Sequence, residues 1–379
     1  MSLNALVLCS DGKVMRVLRR VLSDLEIGVE DCSDADSAVR KLTRRRFEAV
    51  IVDCIDEDMA SKVLSGVRSA PCNRRAIAVA MIDGQKDLRS TFALGAHFVL
   101  YKPISFERAR SSFRAARALM KCERRRNARV TVEIPVVLST ERGQQQIVTS
   151  DISEGGMAAR LPRRYDQKQG PARVKFTLPG TEDVVECAAE VAWKSAGSQT
   201  GIRFVGLPYV HRDHLKSWLT RHAPEIEQND PPVPCRLTDV SPGGCYLKMA
   251  APFPARTRVV LVMHMAERRF LVDGVVVVMH PEVGMGVEFL RTTNEQLEHV
   301  KKFVQALRKT SGTTPEFVVE PEGIDDAGDS SSESMSPWEM EDPLLALFQR
   351  SAEFTTESFQ DELRRQRASY PGKAHAASV

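Results

Sequence analysis

The chain has 379 residues, and 53 Lys and Arg against 50 Asp and Glu leave a formal net charge of +3. This balance excludes a chain that is basic overall, so we expect no nucleic-acid partner. Because no apolar run approaches the roughly 18–20 residues that cross a bilayer, we also expect no membrane span. The eight cysteines form no Cys-x-x-Cys pair, so we expect no metal site and a reducing, cytoplasmic location.

Residues 1–118 alternate between apolar runs and helical patterns. The apolar runs are Leu3–Cys9, Ala49–Asp53, Ala76–Met81 and Phe98–Pro103. Strands of this kind, separated by helices, are typical of a doubly wound parallel sheet covered on both faces. Ligands of such sheets bind at the carboxyl ends of the strands, which is where Asp53 lies.

This first segment resembles a response-regulator receiver domain, with Asp53 at the phospho-acceptor position and Lys102 at that of the invariant lysine. The resemblance implies phosphorylation, but two features depart from it. Cys9-Ser10 stands where receivers carry the acidic pair that holds Mg²⁺, and Ala80 or Met81 replaces the expected hydroxyl residue. We therefore predict a pseudo-receiver in which Asp53 is a vestigial phospho-acceptor. The alternative is a phosphorelay response regulator that is switched at Asp53.

Two short motifs flank an apolar, β-rich run in the next segment. Arg125 and Arg129 have RxxxR spacing, and Asp151, Ser153 and Gly156 have DxSxxG spacing. Guanidinium groups bind phosphate oxygens and the guanine edge in pairs. A carboxylate accepts hydrogen bonds from guanine, and glycines allow a sharp turn and a close approach of the main chain. The two motifs together therefore indicate a ligand-binding site.

In this order the motifs resemble those of the PilZ family, whose β-barrel binds the bacterial second messenger cyclic di-GMP. The resemblance implies a small antiparallel barrel over residues 119–222. We expect Trp193 to pack in the core of this barrel, and the alternative is that it stacks on a base. It also implies a cyclic di-GMP site formed by Arg124, Arg125, Arg126, Arg129, Asp151, Ser153, Gly155 and Gly156. Because the arginines come directly after the α/β segment, we expect the ligand to clamp a mobile hinge between two domains.

The sequence Asp239–Gly244 repeats the pattern of Asp151–Gly156. Residues 229–308 therefore resemble a second, incomplete PilZ domain with a degenerate motif. The remnants of that motif are Asp239, Ser241 and Gly244. Because no RxxxR precedes Asp239, we expect this copy to be structural or to bind protein. Its incomplete edge favours homodimerisation, since an unpaired strand invites pairing.

Residues 310–379 are predicted to form a mostly disordered acidic tail, because Thr310–Gln349 contains no Lys or Arg and is rich in acidic residues and serine. Asp342-Pro343 is a helix-start signal. We therefore predict an amphipathic helix over residues 342–368 as a second feature of this tail, and such a helix is suited to docking a protein partner.

The predicted architecture is multidomain, α/β plus β: a receiver-like domain, two small PilZ-like barrels and a disordered tail. The sequence shows no catalytic constellation, so we expect no enzyme and no cofactor other than cyclic di-GMP as ligand. The leading hypothesis is a cytoplasmic cyclic di-GMP effector whose domain arrangement and partner binding change on ligand binding. The partner would dock through the pseudo-receiver or the C-terminal helix. A ligand-free structural scaffold is a further alternative.

Overall fold

The computed structural model describes residues 3–70, 72–84, 88–141, 143–160, 170–194, 199–205, 207–222, 230–265, 267–291, 294–308, 315–325 and 342–369. The chain forms two compact units. One combines Met1–Cys122 with Asp230–Val379, and the other is Glu123–Asn229. Among the helices of the described residues, none combines the length and the apolar character needed to cross a membrane.

The N-terminal α/β domain contains five parallel strands and five helices. The strands are β1 (Leu3–Leu8), β2 (Ile27–Cys32), β3 (Ala49–Asp53), β4 (Ile77–Ile82) and β5 (Phe98–Tyr101), and the helices are α1 (Gly12–Asp24), α2 (Ala35–Arg44), α3 (Glu57–Ser69), α4 (Leu88–Ala93) and α5 (Phe106–Asn127). The strand order is β2-β1-β3-β4-β5, which is the order of flavodoxin-like doubly wound sheets. The predicted parallel sheet is confirmed.

Helix α5 is longer than the sequence interpretation allowed. It begins at Phe106 and ends at Asn127, whereas the predicted domain ended at residue 118 and left the arginines in a mobile linker. The segment contains no Gly or Pro and is rich in Ala, Arg and other strong helix formers, so the helix continues. Arg124, Arg125 and Arg126 consequently lie in its last turn.

The first barrel begins directly after α5. Its elements are β6 (Val130–Thr131), β7 (Pro135–Thr140), β8 (Gly143–Ser153), β9 (Gly156–Arg160), β10 (Gly170–Thr177), β11 (Val184–Lys194), β12 (Gln199–Val205) and α6 (Tyr209–His222). The sheet order is β6-β8-β7-β10-β11-β12-β9, and a further pairing of β8 with β9 closes a ring of antiparallel strands. Inward-facing apolar residues of these strands pack with Trp218 of α6 to form the core.

The second barrel is also closed. Its elements are β13 (Val233–Val240), β14 (Gly244–Lys248), β15 (Thr257–Met265), β16 (Arg268–His280), β17 (Gly284–Phe289), α7 (Asn294–Arg308) and β18 (Glu316–Ile324). Strand β18 pairs with β13 and β15, just as β7 pairs with β8 and β10 in the first barrel. Strand β7, the first strand of the closed ring in the first barrel, therefore corresponds to β18, the last strand of the second barrel.

Strand β18 corrects two expectations. Residues 310–379 were predicted to be a mostly disordered tail, yet Glu316–Ile324 is a strand in which every second residue is buried. Composition averaged over the acidic segment concealed this alternation, which is typical of a half-buried strand. The strand also pairs with the edge whose incompleteness favoured homodimerisation. Residues 310–314, 326–341 and 370–379 of the predicted tail lie outside the described residues.

The C-terminal segment (residues 342–369) is helical, as the Asp342-Pro343 signal indicated. Asp342 caps α8 (Pro343–Gln349), with its side chain accepting from the backbone N–H groups of Leu344 and Leu345. The structure has two helices where the pattern predicted one. Helix α8 is followed by a 3-10 turn at Ser351–Glu353 and then by α9 (Thr356–Ser369).

The α/β domain and the second barrel share one hydrophobic core. Phe113 and Met120 of α5 belong to the same continuous cluster of buried side chains as Phe317 and Val319 of β18. Ion pairs accompany this packing, because Arg117 and Lys121 of α5 both lie 2.7 Å from the Asp230 carboxylate. Two segments separated by more than a hundred residues of sequence thus fold as one unit, an arrangement that the sequence interpretation did not predict.

Candidate ligand-binding site

The two sequence motifs of the first barrel meet in the structure. Arg125 is buried, and its Nε donates to Oε1 of Glu154 at 3.2 Å. Arg129 is half-exposed, and its Nη1 lies 2.5 Å from Oδ1 of Asp151. The RxxxR motif is therefore joined to the DxSxxG motif by two ion pairs, which hold both guanidinium groups beside the turn at the end of β8.

Two further arginines lie close to this pair along the chain. Arg124 is partly buried, and Nη1 of Arg126 lies 3.4 Å from Oε1 of Glu123. Both are in the last turn of α5. A cluster of cations in one helical turn raises the local positive potential, which favours an anionic ligand.

Ser153 and Gly156 shape the turn between β8 and β9. The Ser153 hydroxyl is buried and donates to the carbonyl oxygen of Gly156 at 3.1 Å. The Gly155 carbonyl accepts from the Phe204 N–H at 3.0 Å. A Cβ atom at Gly156 would lie 2.2 Å from the carbonyl oxygen of Ile202, so only glycine lets the two backbones approach this closely.

A row of four residues crosses the outer face of the first barrel. The strand register places Trp193 beside Gly201, Gly201 beside Ala158, and Ala158 beside Asp151. The indole lies across Gly201, because a Cβ atom there would be 2.1 Å from its ring nitrogen. We name this surface the motif face. It has small residues at its centre, an aromatic ring at one end and the Arg129–Asp151 pair at the other.

The prediction that Trp193 lies in the core is wrong, because this side chain is 41% exposed. The cause is a β-bulge between Val191 and Trp193. Val191 is buried, and strict alternation would point Trp193 inward as well, but the extra residue of a bulge reverses the facing of the residues after it. A second bulge between Thr149 and Asp151 has the same effect: the Thr149 side chain is buried, whereas Asp151 faces outward.

The second barrel repeats this geometry. Asp239 lies beside Tyr246, Tyr246 beside Gly286, and Gly286 beside Val278. Bulges occur between Leu237 and Asp239 and between Val276 and Val278, at the equivalent places. The internal repeat inferred from Asp239–Gly244 therefore includes the positions of the two β-bulges.

The turn of the degenerate motif is also preserved. The Ser241 hydroxyl donates to the carbonyl oxygen of Gly244 at 3.3 Å, and the Gly243 carbonyl accepts from the Phe289 N–H at 2.8 Å. The surface above this turn differs between the two barrels. Tyr246 replaces the small Ala158, and the C-terminal segment packs on this face through Leu345 and Phe348.

A titratable group lies buried under the C-terminal segment. Burial lowers the pKa of His280 to about 4, and its Nδ1 lies 3.0 Å from the Tyr246 hydroxyl. Because the unfolded chain takes up this proton near pH 6.5, we expect the free energy of unfolding to fall as the pH drops from about 6.5 to about 4. The loss should reach about 3 kcal/mol. Urea unfolding at pH 7 and pH 4 measures it, and a His280→Gln variant with the same pH dependence would contradict the assignment.

The receiver-type site of the α/β domain holds an ion pair. Asp53 is buried, its Oδ1 lies 2.5 Å from Lys102 Nζ, and its Oδ2 lies 3.5 Å from the Cys9 thiol. Burial raises the pKa of the Cys9 thiol. Asp11, the acidic residue that follows Cys9-Ser10 in the sequence, instead caps α1 by accepting from the N–H groups of Lys13 and Val14. No cluster of metal-ligating side chains occurs among the described residues.

We expect Asp53 to remain unphosphorylated when the protein is incubated with acetyl phosphate and Mg²⁺. Phosphoryl transfer to a carboxylate requires a metal ion that neutralises the transferred group. Here a thiol stands where a carboxylate ligand is needed. Intact-mass measurement checks the result, with Asp53→Asn as the control. A stoichiometric phosphoryl adduct that is absent from the variant would restore the phosphorelay alternative.

Comparison with known proteins identifies the two barrels. Residues 123–221 and 220–306 each match the family described as the PilZ domain. No match was found among curated proteins.

Solved structures give similarities of limited extent. The receiver domain of the sensor histidine kinase PA1611 from Pseudomonas aeruginosa PAO1 is 22% identical over 28% of this chain and 90% of that chain, with a TM-score of 0.26. The chemotaxis response regulator CheY4 of Vibrio cholerae is 18% identical, and the match covers 31% of this chain and 99% of that chain, with a TM-score of 0.29. The PilZ domain of CeSA from a cellulose-synthesizing bacterium is 18% identical, and the match covers 27% of this chain and 100% of that chain, with a TM-score of 0.21. The chain therefore carries two segments in tandem that match the PilZ domain, after an α/β domain with the strand order of flavodoxin-like sheets.

Proposed function

We propose that the protein is a cytoplasmic, non-catalytic cyclic di-GMP effector that binds its ligand at the first PilZ domain. One observation supports this assignment most directly: Arg125 and Arg129 are joined to Glu154 and Asp151 at one end of the motif face. The proposed ligand-binding residues are Arg124, Arg125, Arg126, Arg129, Asp151, Ser153, Gly155 and Gly156.

The chemistry of the ligand matches this face. Cyclic di-GMP carries two phosphates and two flat guanines in one ring. Arg129, whose side chain is 49% exposed, can turn from Asp151 to a phosphate or to the guanine edge. Asp151 is then available to accept from guanine N–H groups. The indole of Trp193 lies over Gly201, and its exposed ring offers a surface on which a flat base can stack.

Individual residues differ in their proposed roles. Arg125 is buried against Glu154, so it fixes the end of α5 against the motif turn. Ser153 and Gly156 stabilise the turn itself. The Ser153 hydroxyl donates to the Gly156 carbonyl oxygen, and the absence of a side chain at Gly156 allows the close approach of β12. The second PilZ domain is proposed not to bind the nucleotide, because no RxxxR precedes Asp239.

The proposed output is a change in domain arrangement and in partner binding. Helix α5 continues from the α/β domain to Asn127, so the arginines that meet the ligand are part of a helix that also packs in the α/β domain. A ligand that reorganises the last turn of α5 therefore acts on both units. The protein partner is proposed to dock on the α/β domain or on the C-terminal segment.

Hydrogen exchange of the full chain tests both the site and the mechanism. We expect cyclic di-GMP to protect the amides of residues 120–132 and 150–157, because binding restrains the end of α5 and the motif turn. Residues 239–244 of the second barrel serve as an internal control and should not change. Absence of protection in both segments at high micromolar ligand would rule out the proposed function. Protection of 150–157 alone would rule out transmission through α5.

A further inference from the structure

The C-terminal segment lies on the second barrel at the position that corresponds to the motif face of the first. We propose that this face of the second PilZ domain is a peptide-binding site, and that residues 342–369 are its exchangeable ligand within the same chain. The proposal goes beyond the cyclic di-GMP site, since it concerns the other barrel and a different class of ligand.

The contacts converge on the degenerate motif. Oδ2 of Asp342 accepts from the Gly243 N–H at 3.0 Å, while its Oδ1 accepts from the first N–H groups of α8. A Cβ atom at Gly243 would lie 2.4 Å from Leu345 Cδ1, and one at Gly286 would lie 2.7 Å from the Phe348 ring. The segment thus fills the spaces that the two glycines leave, and one carboxylate joins the motif turn to the start of the helix.

The hydrophobic contacts on this face form a cluster of their own. Tyr246 and Val278 of the barrel pack with side chains of the segment, namely Leu344, Leu345, Leu347, Phe348, Phe359 and Leu363. The interior of the barrel belongs to a different cluster, which the α/β domain shares. The ring of strands is also closed without any strand from the segment. The barrel therefore has its core and its backbone pairing in place before the segment binds.

The geometry defines which peptide the site accepts. It requires a carboxylate at the cap position, as in Asp342, and apolar side chains on one side of the first turns, as in Leu345 and Phe348. Beyond α8, Phe359 packs against both Tyr246 and His280 with ring centroids 5.7 and 4.5 Å apart. An amphipathic helix of the pattern Asp-Pro-Leu-Leu-x-Leu-Phe fits these positions, in the helix-in-groove mode of peptide recognition.

The experiment uses the full chain with a protease site introduced between residues 326 and 341. After cleavage, a fluorescently labelled peptide of residues 342–369 is added, and its anisotropy reports binding. We expect the labelled peptide to exchange with the cleaved segment and to bind saturably. Peptides with Phe348→Asp or Asp342→Asn should bind at least about tenfold more weakly, because each loses a contact at the centre of the interface. A peptide with Arg364→Ala, whose side chain is 72% exposed, is the matched control.

Two results would overturn the proposal. In one, the cleaved segment stays bound and does not exchange with a large excess of peptide. In the other, the circular dichroism of the remaining chain is lost when the segment leaves. Either result would make the segment an integral part of the barrel rather than its ligand. Because all substitutions are in the added peptide, none of them affects the folding of the chain itself. Calorimetry with cyclic di-GMP on the same cleaved protein reports the first barrel separately.

Discussion

Replacing Arg129 by Ala should weaken cyclic di-GMP binding to the full chain by about tenfold or more, measured by isothermal titration calorimetry. A hydrogen bond to a charged group contributes roughly 1.5–3 kcal/mol, and about 1.4 kcal/mol corresponds to tenfold in the dissociation constant. Arg129 is the more exposed arginine of the RxxxR pair, so it is free to turn toward the ligand. Loss of its guanidinium removes contacts to the ligand and leaves Asp151 without this cation.

Arg173→Ala is the matched control for this experiment. Arg173 is also on the first barrel, and its side chain is 66% exposed and paired with Glu186 on a neighbouring strand. The substitution removes the same charge, so a purely long-range effect of charge would weaken both variants alike. The affinity of Arg129→Lys for cyclic di-GMP should lie between those of Arg129→Ala and Arg173→Ala. Lysine keeps the charge, but its ammonium group cannot form the planar, two-pronged contact of arginine. Equal affinities of the wild-type protein and Arg129→Ala would exclude this residue from the site.

Replacing Gly156 by Ala should destabilise the first barrel by about 3 kcal/mol, since overpacking that meets rigid groups is costly. The added Cβ atom would lie 2.2 Å from the Ile202 carbonyl oxygen and 3.1 Å from the Arg203 Cα atom. Both are backbone atoms of β12, so relief requires separating two paired strands. Urea unfolding followed by tryptophan fluorescence measures the effect, because Trp193 and Trp218 both belong to this barrel.

Gly170→Ala is the control for this substitution, because, chain neighbours aside, no atom of the residues that the structure describes lies within 4 Å of the position of its Cβ atom. It makes the same chemical change in the same barrel, at the start of β10. We expect its unfolding midpoint to stay close to that of the wild-type protein. If both variants unfold at the same urea concentration, the close approach of β9 and β12 does not determine the stability of this barrel.

The parts of the fold that depend on local pattern could be predicted from the sequence. Continuous apolar runs identified the sheet of the α/β domain, and the spacing of Arg125, Arg129 and Asp151 identified residues that the structure brings together. The facing of Trp193 could not be predicted, because a bulge of a single residue decides it and no pattern of apolar residues marks that bulge. The same holds for Asp151.

The non-local features were out of reach for a different reason. Strand β18 was missed because its composition is that of the acidic segment around it, and its place in the barrel depends on its partners β13 and β15. The shared core of the α/β domain and the second barrel depends on packing between distant segments. The packing of Leu345 and Phe348 on the degenerate motif also depends on tertiary contacts. An amphipathic pattern predicts a helix but does not specify the surface on which that helix packs.

The unit formed by Met1–Cys122 and Asp230–Val379 is interrupted by the whole of Glu123–Asn229, and this interruption links the stabilities of the two units. Folding of the surrounding unit brings the two ends of the insert together, since Lys121 Nζ lies 2.7 Å from the Asp230 carboxylate, and a folded first barrel leaves fewer residues flexible between those ends. Once it unfolds, the same residues become a long flexible loop, and the entropy cost of closing a loop grows with its length. A ligand that binds only the folded insert stabilises it by mass action. Occupancy of the inserted barrel should therefore raise the melting temperature of the surrounding unit as well, although the ligand touches none of its core.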